Sequence, residues 1–168
     1  PQMADSEDLI RLLPNRPDVN YRALWLNDKG LARAIGSGRI AVDGKLQITA
    51  SNAFTLRNFK KTLDEAVTAM PEWISMYQAA GIKTWALGVQ AAFGCNFEGD
   101  VRPADVVALI SRVELLMNDS GNQLKHLRLA DTMGWANPIQ VKRLVGLVRE
   151  RWPNLKIRLH LHDTRGLA

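Results

Sequence analysis

Short apolar runs alternate along the chain with longer stretches whose apolar residues recur at helical spacing. The first run, Tyr21 to Asn27 (YRALWLN), is bounded by Asn20 and Asp28 and reads as a buried strand. A short helix is expected from Gly30 to Ile35, broken by Gly36-Ser37-Gly38. The next run is interrupted by Asp43-Gly44, which suits a hairpin turn. A loop leading to a strand at Leu46 to Thr49 is the preferred reading. From Lys60 to Ala80 the positions Leu63, Ala66, Val67, Met70, Trp73, Ile74 and Tyr77 keep helical spacing. Pro71 predicts a kink there, or two helices, and Gly81 a stop. Then come a strand at Lys83 to Ala91, a helix opened by Pro103, and a strand at Leu124 to Ala130. A helix from Pro138 to Arg151 and a strand from Lys156 to His162 complete the pattern.

Strand and helix thus alternate about five times with a repeat of ~30 residues, the length of a βαβ unit. Such alternation predicts an α/β fold, a parallel sheet with outer helices. An open doubly wound sheet and a (β/α)8 barrel both satisfy it. No G-x-G-x-x-G follows a strand, so the usual dinucleotide signature is missing. A whole barrel takes ~250 residues, about three units more than the 168 present.

Composition narrows the class. With 46% hydrophobic and 23% charged residues, one globular domain over residues 1–168 is expected. The net charge of +5 reads as a mildly basic surface, or as attraction for an anion such as a CoA phosphate. The basic residues are scattered without an aromatic-interleaved stripe, which argues against a nucleic-acid partner. Cys95 stands alone, so no disulfide forms within the chain and a reducing, cytoplasmic setting is expected. No apolar run approaches the ~20 residues that span a bilayer, so no membrane partner is expected. The opening Pro1-Gln2-Met3-Ala4-Asp5 reads as a chain entered midway.

Chemistry concentrates after the strands. In LHLHDTRG, Leu159 to Gly166, His160 and His162 are two apart on a strand, which puts both imidazoles on one face. They read as a pair of metal ligands at a strand's C-terminal end, or as histidines bonded to neighbouring side chains. Asp163-Thr164 adds acceptors that orient a ring or a loop. In LADTMGWANP, Leu129 to Pro138, Asp131 ends the preceding strand and Thr132 follows it. The carboxylate of Asp131 suits metal binding, holding a histidine, or moving a proton; capping a turn is the other reading. Asn137-Pro138 reads as a helix cap. In FGCNFEG, Phe93 to Gly99, glycines flank Cys95 and Glu98, for close ligand approach or for a plain turn. A polar loop, Thr49 to Asn58, offers Ser51, Arg57 and Asn58 to a ligand or only to solvent.

Together these stretches resemble the 3-hydroxy-3-methylglutaryl-CoA lyase family. The matching segments are PQMAD at Pro1, ASNAFTLRN at Ala50, GCNFEG at Gly94, LADTMGWANP at Leu129 and LHLHDTRG at Leu159. The resemblance implies a partial (β/α)8 barrel, about strands 3 to 7 of 8. It implies an acyl-CoA substrate, Mg2+ or Mn2+ as cofactor, and retro-Claisen cleavage to acetyl-CoA and acetoacetate, a step of leucine catabolism. By that match His160 and His162 are metal ligands, one of them sharing in proton transfer, and Asp131 is a carboxylate beside the site; Asp131 and His160 are the expected catalytic pair. Cys95 and Glu98 match a loop near the cavity, and Ser51, Arg57, Asn58 and Thr132 complete the expected substrate-binding set. A further ligand Asp of the family would precede Pro1, and an Asn ligand with a glycine-rich cysteine loop would follow Ala168. The chain is therefore expected to be an inactive piece of a longer enzyme. Gly88 replaces a Tyr of some members, Asn52 replaces a usual Glu, and Arg158 shares the histidines' strand face. A related 2-oxo acid aldolase or acyl-CoA synthase is the alternative enzyme. A non-catalytic domain is the alternative of another class, and exposed sheet edges predict a homo-oligomer.

Overall fold

Not every apolar run becomes a strand, because a strand needs a neighbour for its backbone groups. The computed structural model describes residues 4–25, 27–164 and 166, divided between two compact units, Pro1–Asp43 and Gly44–Ala168. In the first unit, α1 (Ser6–Leu12) and α2 (Asp28–Ser37) are the regular elements. Helix α1 buries none of its residues. Helix α2 buries Leu31 and Ala34, opens on the Asn27 side chain, which accepts from Gly30 N, and closes on Gly38 at φ 60°.

The strand expected from Tyr21 to Asn27 is corrected here. Residues 21–25 are irregular, and Leu26 lies outside the described residues. Tyr21 O accepts one bond from Ala41 N at 2.7 Å, and Leu24 is 67% exposed. Among the described residues no ladder continues that single bond. The first three residues of the PQMAD match also lie outside the described residues.

The second unit holds β1 (Lys45–Thr49), α3 (Asn52–Phe59), α4 (Leu63–Thr68), α5 (Met70–Ala79) and β2 (Ala86–Gln90). It continues with α6 (Pro103–Asp119), β3 (His126–Ala130), α7 (Pro138–Arg151) and β4 (Lys156–His160). The stretch from Lys60 divides into two helices, as Pro71 suggested. The division falls at Ala69, and Pro71 sits in the first turn of α5, where its missing N–H loses no helical bond. The loop expected from Thr49 to Asn58 is instead mostly helix α3. Ser51 caps it by accepting from Phe54 N at 3.0 Å, a signal passed over in the polar composition. Asp43-Gly44 is a loop into β1, not a hairpin. Gly44 O accepts from Trp85 N at 2.9 Å, and a Cβ at Gly44 would run into the Lys83 backbone.

The four strands are all parallel, in the order β1-β2-β3-β4, with no reversal. One face carries Leu46, Ile48, Leu87, Val89, Leu127 and Leu129, each 5% exposed or less. It packs against α3, α4 and α6. Full burial of such a side chain stabilises by about 1.5–3 kcal/mol, so this layer is the core. The other face is polar, carrying Lys45, Gln47, His126, Arg128, Lys156 and Arg158. A doubly wound sheet reverses its strand order and needs apolar residues on both faces. Sequential order with helices against one apolar face is the wall of a barrel. Strand β4 is the sheet's edge among the described residues, and Lys156, Arg158, Leu159 and His160 are exposed.

Candidate functional site at the strand C-termini

Each strand of a parallel sheet ends on the same side, so the loops that follow them meet along one rim. Here they are tied together in chain order. After β1, the buried Ser51 hydroxyl donates to Glu98 Oε2 in the loop after β2. Glu98 Oε2 also accepts from Ala53 N at 3.1 Å. Ser51 Oγ lies 3.0 Å from Cys95 Sγ. Its single proton is committed to Glu98 and one lone pair to Phe54 N–H. The remaining lone pair accepts from the Cys95 thiol. Cys95 is fully buried and serves in this arrangement as a donor that holds the rim.

The loop after β2 is tied to the loop after β3. Trp135 Nε1 donates to Asn96 Oδ1 at 2.8 Å, and Asn96 N donates to Met133 Sδ at 3.2 Å. Thr132 Oγ1 accepts from Ala91 N at 2.9 Å. That bond holds Ala91 at φ 49°, a left-handed conformation that non-glycine residues rarely take. The loop after β3 in turn meets the loop after β4. Gly134, at φ 72°, lets Thr164 approach so closely that a Cβ there would collide with Thr164 Oγ1. Sequence reasoning missed Asn96, Met133, Gly134 and Trp135 as rim ties. The one local signal was a glycine two residues after Thr132, where a turn must pass close to its neighbour.

Asp131 is fully buried at the end of β3. Its N–H donates to His160 O at 2.8 Å, and its Oδ1 accepts from Trp135 N at 2.7 Å. Oδ2 is buried and has no hydrogen-bond partner among the described residues. One oxygen of Asp131 therefore closes the turn, and the other is left open. At the end of β4, His160 Nε2 and His162 Nε2 converge to 3.2 Å, with ring centroids 5.0 Å apart. Both rings are exposed.

Those two nitrogens suit a divalent ion. Two ligands at right angles on a metal, each ~2.1 Å away, stand ~3 Å apart. An Nε2–H of one ring donating to Nε2 of the other gives the same separation. Among the described residues no group of three or more His, Cys, Asp or Glu side chains is placed to hold an ion. The pair thus fits as part of a donor set.

Arg57 and Asn58 sit on the exposed side of α3. The Arg57 guanidinium lies 4.6 Å from the centre of the Phe97 ring, across the rim. Asn58 Nδ2 donates to Phe54 O at 3.0 Å, within its own helix. Asn52 Oδ1 accepts from Leu63 N at 2.8 Å, so Asn52 holds the start of α4.

At the other end of β3, burial, and after it the charges of Lys156 and Arg158, push the His126 imidazole below its usual value. The unfolded chain therefore takes up that proton first as pH falls. The stability tied to neutral His126 is present above pH ~6.5 and lost as pH drops through the lower folded value. Urea midpoints measured from pH 8 to pH 5 should show this slope, and His126→Gln should flatten it.

A polar-faced wall of parallel strands in sequential order, with its polar loops gathered at the C-terminal ends, defines part of a (β/α)8 barrel. The HMGL-like family profile matches residues 8–168, and the chain belongs to that family. It is 30% identical to the mitochondrial hydroxymethylglutaryl-CoA lyase of Bos taurus, over 100% of this chain and 49% of that protein. It is 31% identical to the (R)-citramalyl-CoA lyase of Chloroflexus aurantiacus, over 98% of this chain and 52% of that protein. An HMG-CoA lyase of Acinetobacter baumannii, solved with coenzyme A and 3-methylmalate, superposes with a TM-score of 0.76. That lyase is 30% identical, and the match covers 98% of this chain and 50% of the other. The chain thus spans about half the length of these relatives and forms part of a barrel. Among the described residues no helix is long and apolar enough to cross a membrane.

Proposed function

We propose that this chain is part of a carbon–carbon lyase that cleaves 3-hydroxy-3-methylglutaryl-CoA to acetyl-CoA and acetoacetate, assisted by Mg2+ or Mn2+. The observation that carries the proposal is the convergence of His160 and His162 Nε2 to 3.2 Å at the rim, one strand from the open Asp131 oxygen. When bound, the divalent ion supplies Lewis acidity at the substrate's hydroxyl and carbonyl oxygens. His160 and His162 hold it. His160 also takes part in moving the proton of the tertiary hydroxyl, and Asp131, through Oδ2, holds or accepts a proton beside it. The fixed rim from Ser51 through Cys95 and Glu98 to Thr132 orients the acyl chain. Arg57, exposed over Phe97, and Asn58 face the nucleotide end of the thioester.

The reading treats residues 1–168 as one partial domain of the family type, in keeping with a match that runs from residue 8 to residue 168. A lone, buried, unoxidised Cys95 suits a cytoplasmic setting. A second reading keeps the reaction and changes the acid. The likeness to a citramalyl-CoA lyase supports cleavage of another 3-hydroxyacyl-CoA. The test is to incubate the protein carrying this chain with each thioester and Mg2+ or Mn2+, and to quantify acetyl-CoA and the released keto acid. Acetoacetate from the first thioester supports the first reading. No cleavage of either thioester rules out both.

A further inference from the structure

The sheet face that carries His160 is lined with cations and holds no acid. Below the level of His160, the rows across β1 to β4 are Gln47, Gly88, Arg128 and Arg158, then Lys45, Ala86, His126 and Lys156. None of the twelve positions that β1–β4 place on this face is Asp or Glu. In the upper of the two rows Gly88 leaves a gap that the Gln47 side chain covers; a Cβ there would lie 2.6 Å from Gln47 Oε1. Gln47 Oε1 and Arg128 Nε are both shut off from solvent, with no hydrogen-bond partner among the described residues. Arg128 and Arg158 are direct partners in the parallel register, so two like charges stand on strands ~4.8 Å apart. Nearby, burial and then the charges of Lys156 and Arg158 hold the His126 imidazole below its usual value.

One chemical group removes all of these deficits. A carboxylate between the two guanidiniums accepts charge-assisted bonds from both and supplies the acceptor that Arg128 Nε lacks. Turning the Gln47 amide half a revolution puts its NH2 where the unpaired oxygen lies and gives a further donor. We propose that Arg128 and Arg158, flanked by Gln47, form a carboxylate subsite two residues below His160 on the barrel-facing side of the sheet. It takes the free carboxylate end of the acyl group. The identity of that ligand rests on the lyase reading; the anion site itself rests only on the sheet face.

The other source of the same chemistry is an acidic side chain of the protein itself, and titration separates the two. Calorimetric titration of the protein carrying this chain, in metal-free buffer, compares 3-hydroxy-3-methylglutarate with 3-hydroxy-3-methylbutyrate, which has one carboxylate fewer. The diacid should bind at least about tenfold tighter. Arg128→Met and Arg158→Met should each abolish that preference. If a Met variant fails to fold by circular dichroism, Arg128→Lys and Arg158→Gln carry the test, with a smaller preference expected in each. Equal affinity of the two acids for the wild type, or a preference untouched by all the variants, overturns the proposal. A wild type that binds neither acid, with Met variants that melt lower, assigns the arginines to an internal ion pair and also overturns it. If no thioester is cleaved but the diacid preference holds and falls in the variants, the lyase reading fails and the subsite stands. If thioesters with and without a terminal carboxylate are cleaved at equal kcat/KM, the subsite fails and the lyase reading stands.

Discussion

Alanine at His160 should weaken Mn2+ binding at least about a hundredfold. Loss of a group that merely hydrogen-bonds a metal ligand commonly costs 10–100-fold, and loss of a ligand itself costs more. The structure gives a reason to expect the same from His162→Ala. The two Nε2 atoms converge on one point, so each imidazole without the other is a single exposed donor competing with water. His126→Gln is the control. It removes a histidine on the same sheet face, at the opposite end of β3, and should leave Mn2+ affinity unchanged. Titration followed by the electron paramagnetic resonance of free Mn2+ reads all three. Equal affinity in wild type and His160→Ala would mean that the paired rings serve only each other.

The largest loss of stability is expected from Leu127→Ala, about 3–5 kcal/mol. Leu127 is 0% exposed on the apolar face of β3, between Leu87 of β2 and Ile157 of β4 in the ladder. Both flanking strands are fixed by the ladder, so the site cannot collapse around the missing atoms and the cavity remains. Against a typical total of 5–15 kcal/mol, that loss is close to unfolding the domain. Leu159→Ala, on the edge strand at 43% exposure, should cost under about 1 kcal/mol by the same argument. Urea unfolding of both variants checks the contrast. A Leu159 variant as unstable as the Leu127 one would show that β4 is covered in the working protein.

The helices that were legible are those with a signal on the chain itself. Helix α7 begins at Pro138 and ends at Arg151 as read, because Asn137 caps it and Leu144 and Val148 mark its buried side. The break between α4 and α5 was legible for the same kind of reason. What failed was the run from Tyr21, whose composition is that of a strand. Composition states what a segment tolerates, while a strand also needs a partner, and pairing is not written locally. Helix α3 was passed over because Thr49 to Asn58 was read as a polar loop. Its cap, Ser51, then proved to be bound to the next loop as well.

The site divides in the same way. Period-two alternation by itself put Arg158 and His160 on one face; the strand was expected to run on to His162 but ends at His160, so His162 reaches its neighbour from the loop. The chain order of the strands likewise put Asp131 beside them. These follow from the geometry of a strand and need no knowledge of what packs where. Only the folded sheet decided that Gln47, Gly88, Arg128 and Arg158 form one row, since register joins residues more than a hundred positions apart. It also decided that Ser51, Cys95 and Glu98 share one proton network, and that Gly134 is needed for the approach of Thr164. Alternation is a property of one strand and can be read from it. Contact between strands is set by how their buried faces stack, and that appears only when the whole layer has closed.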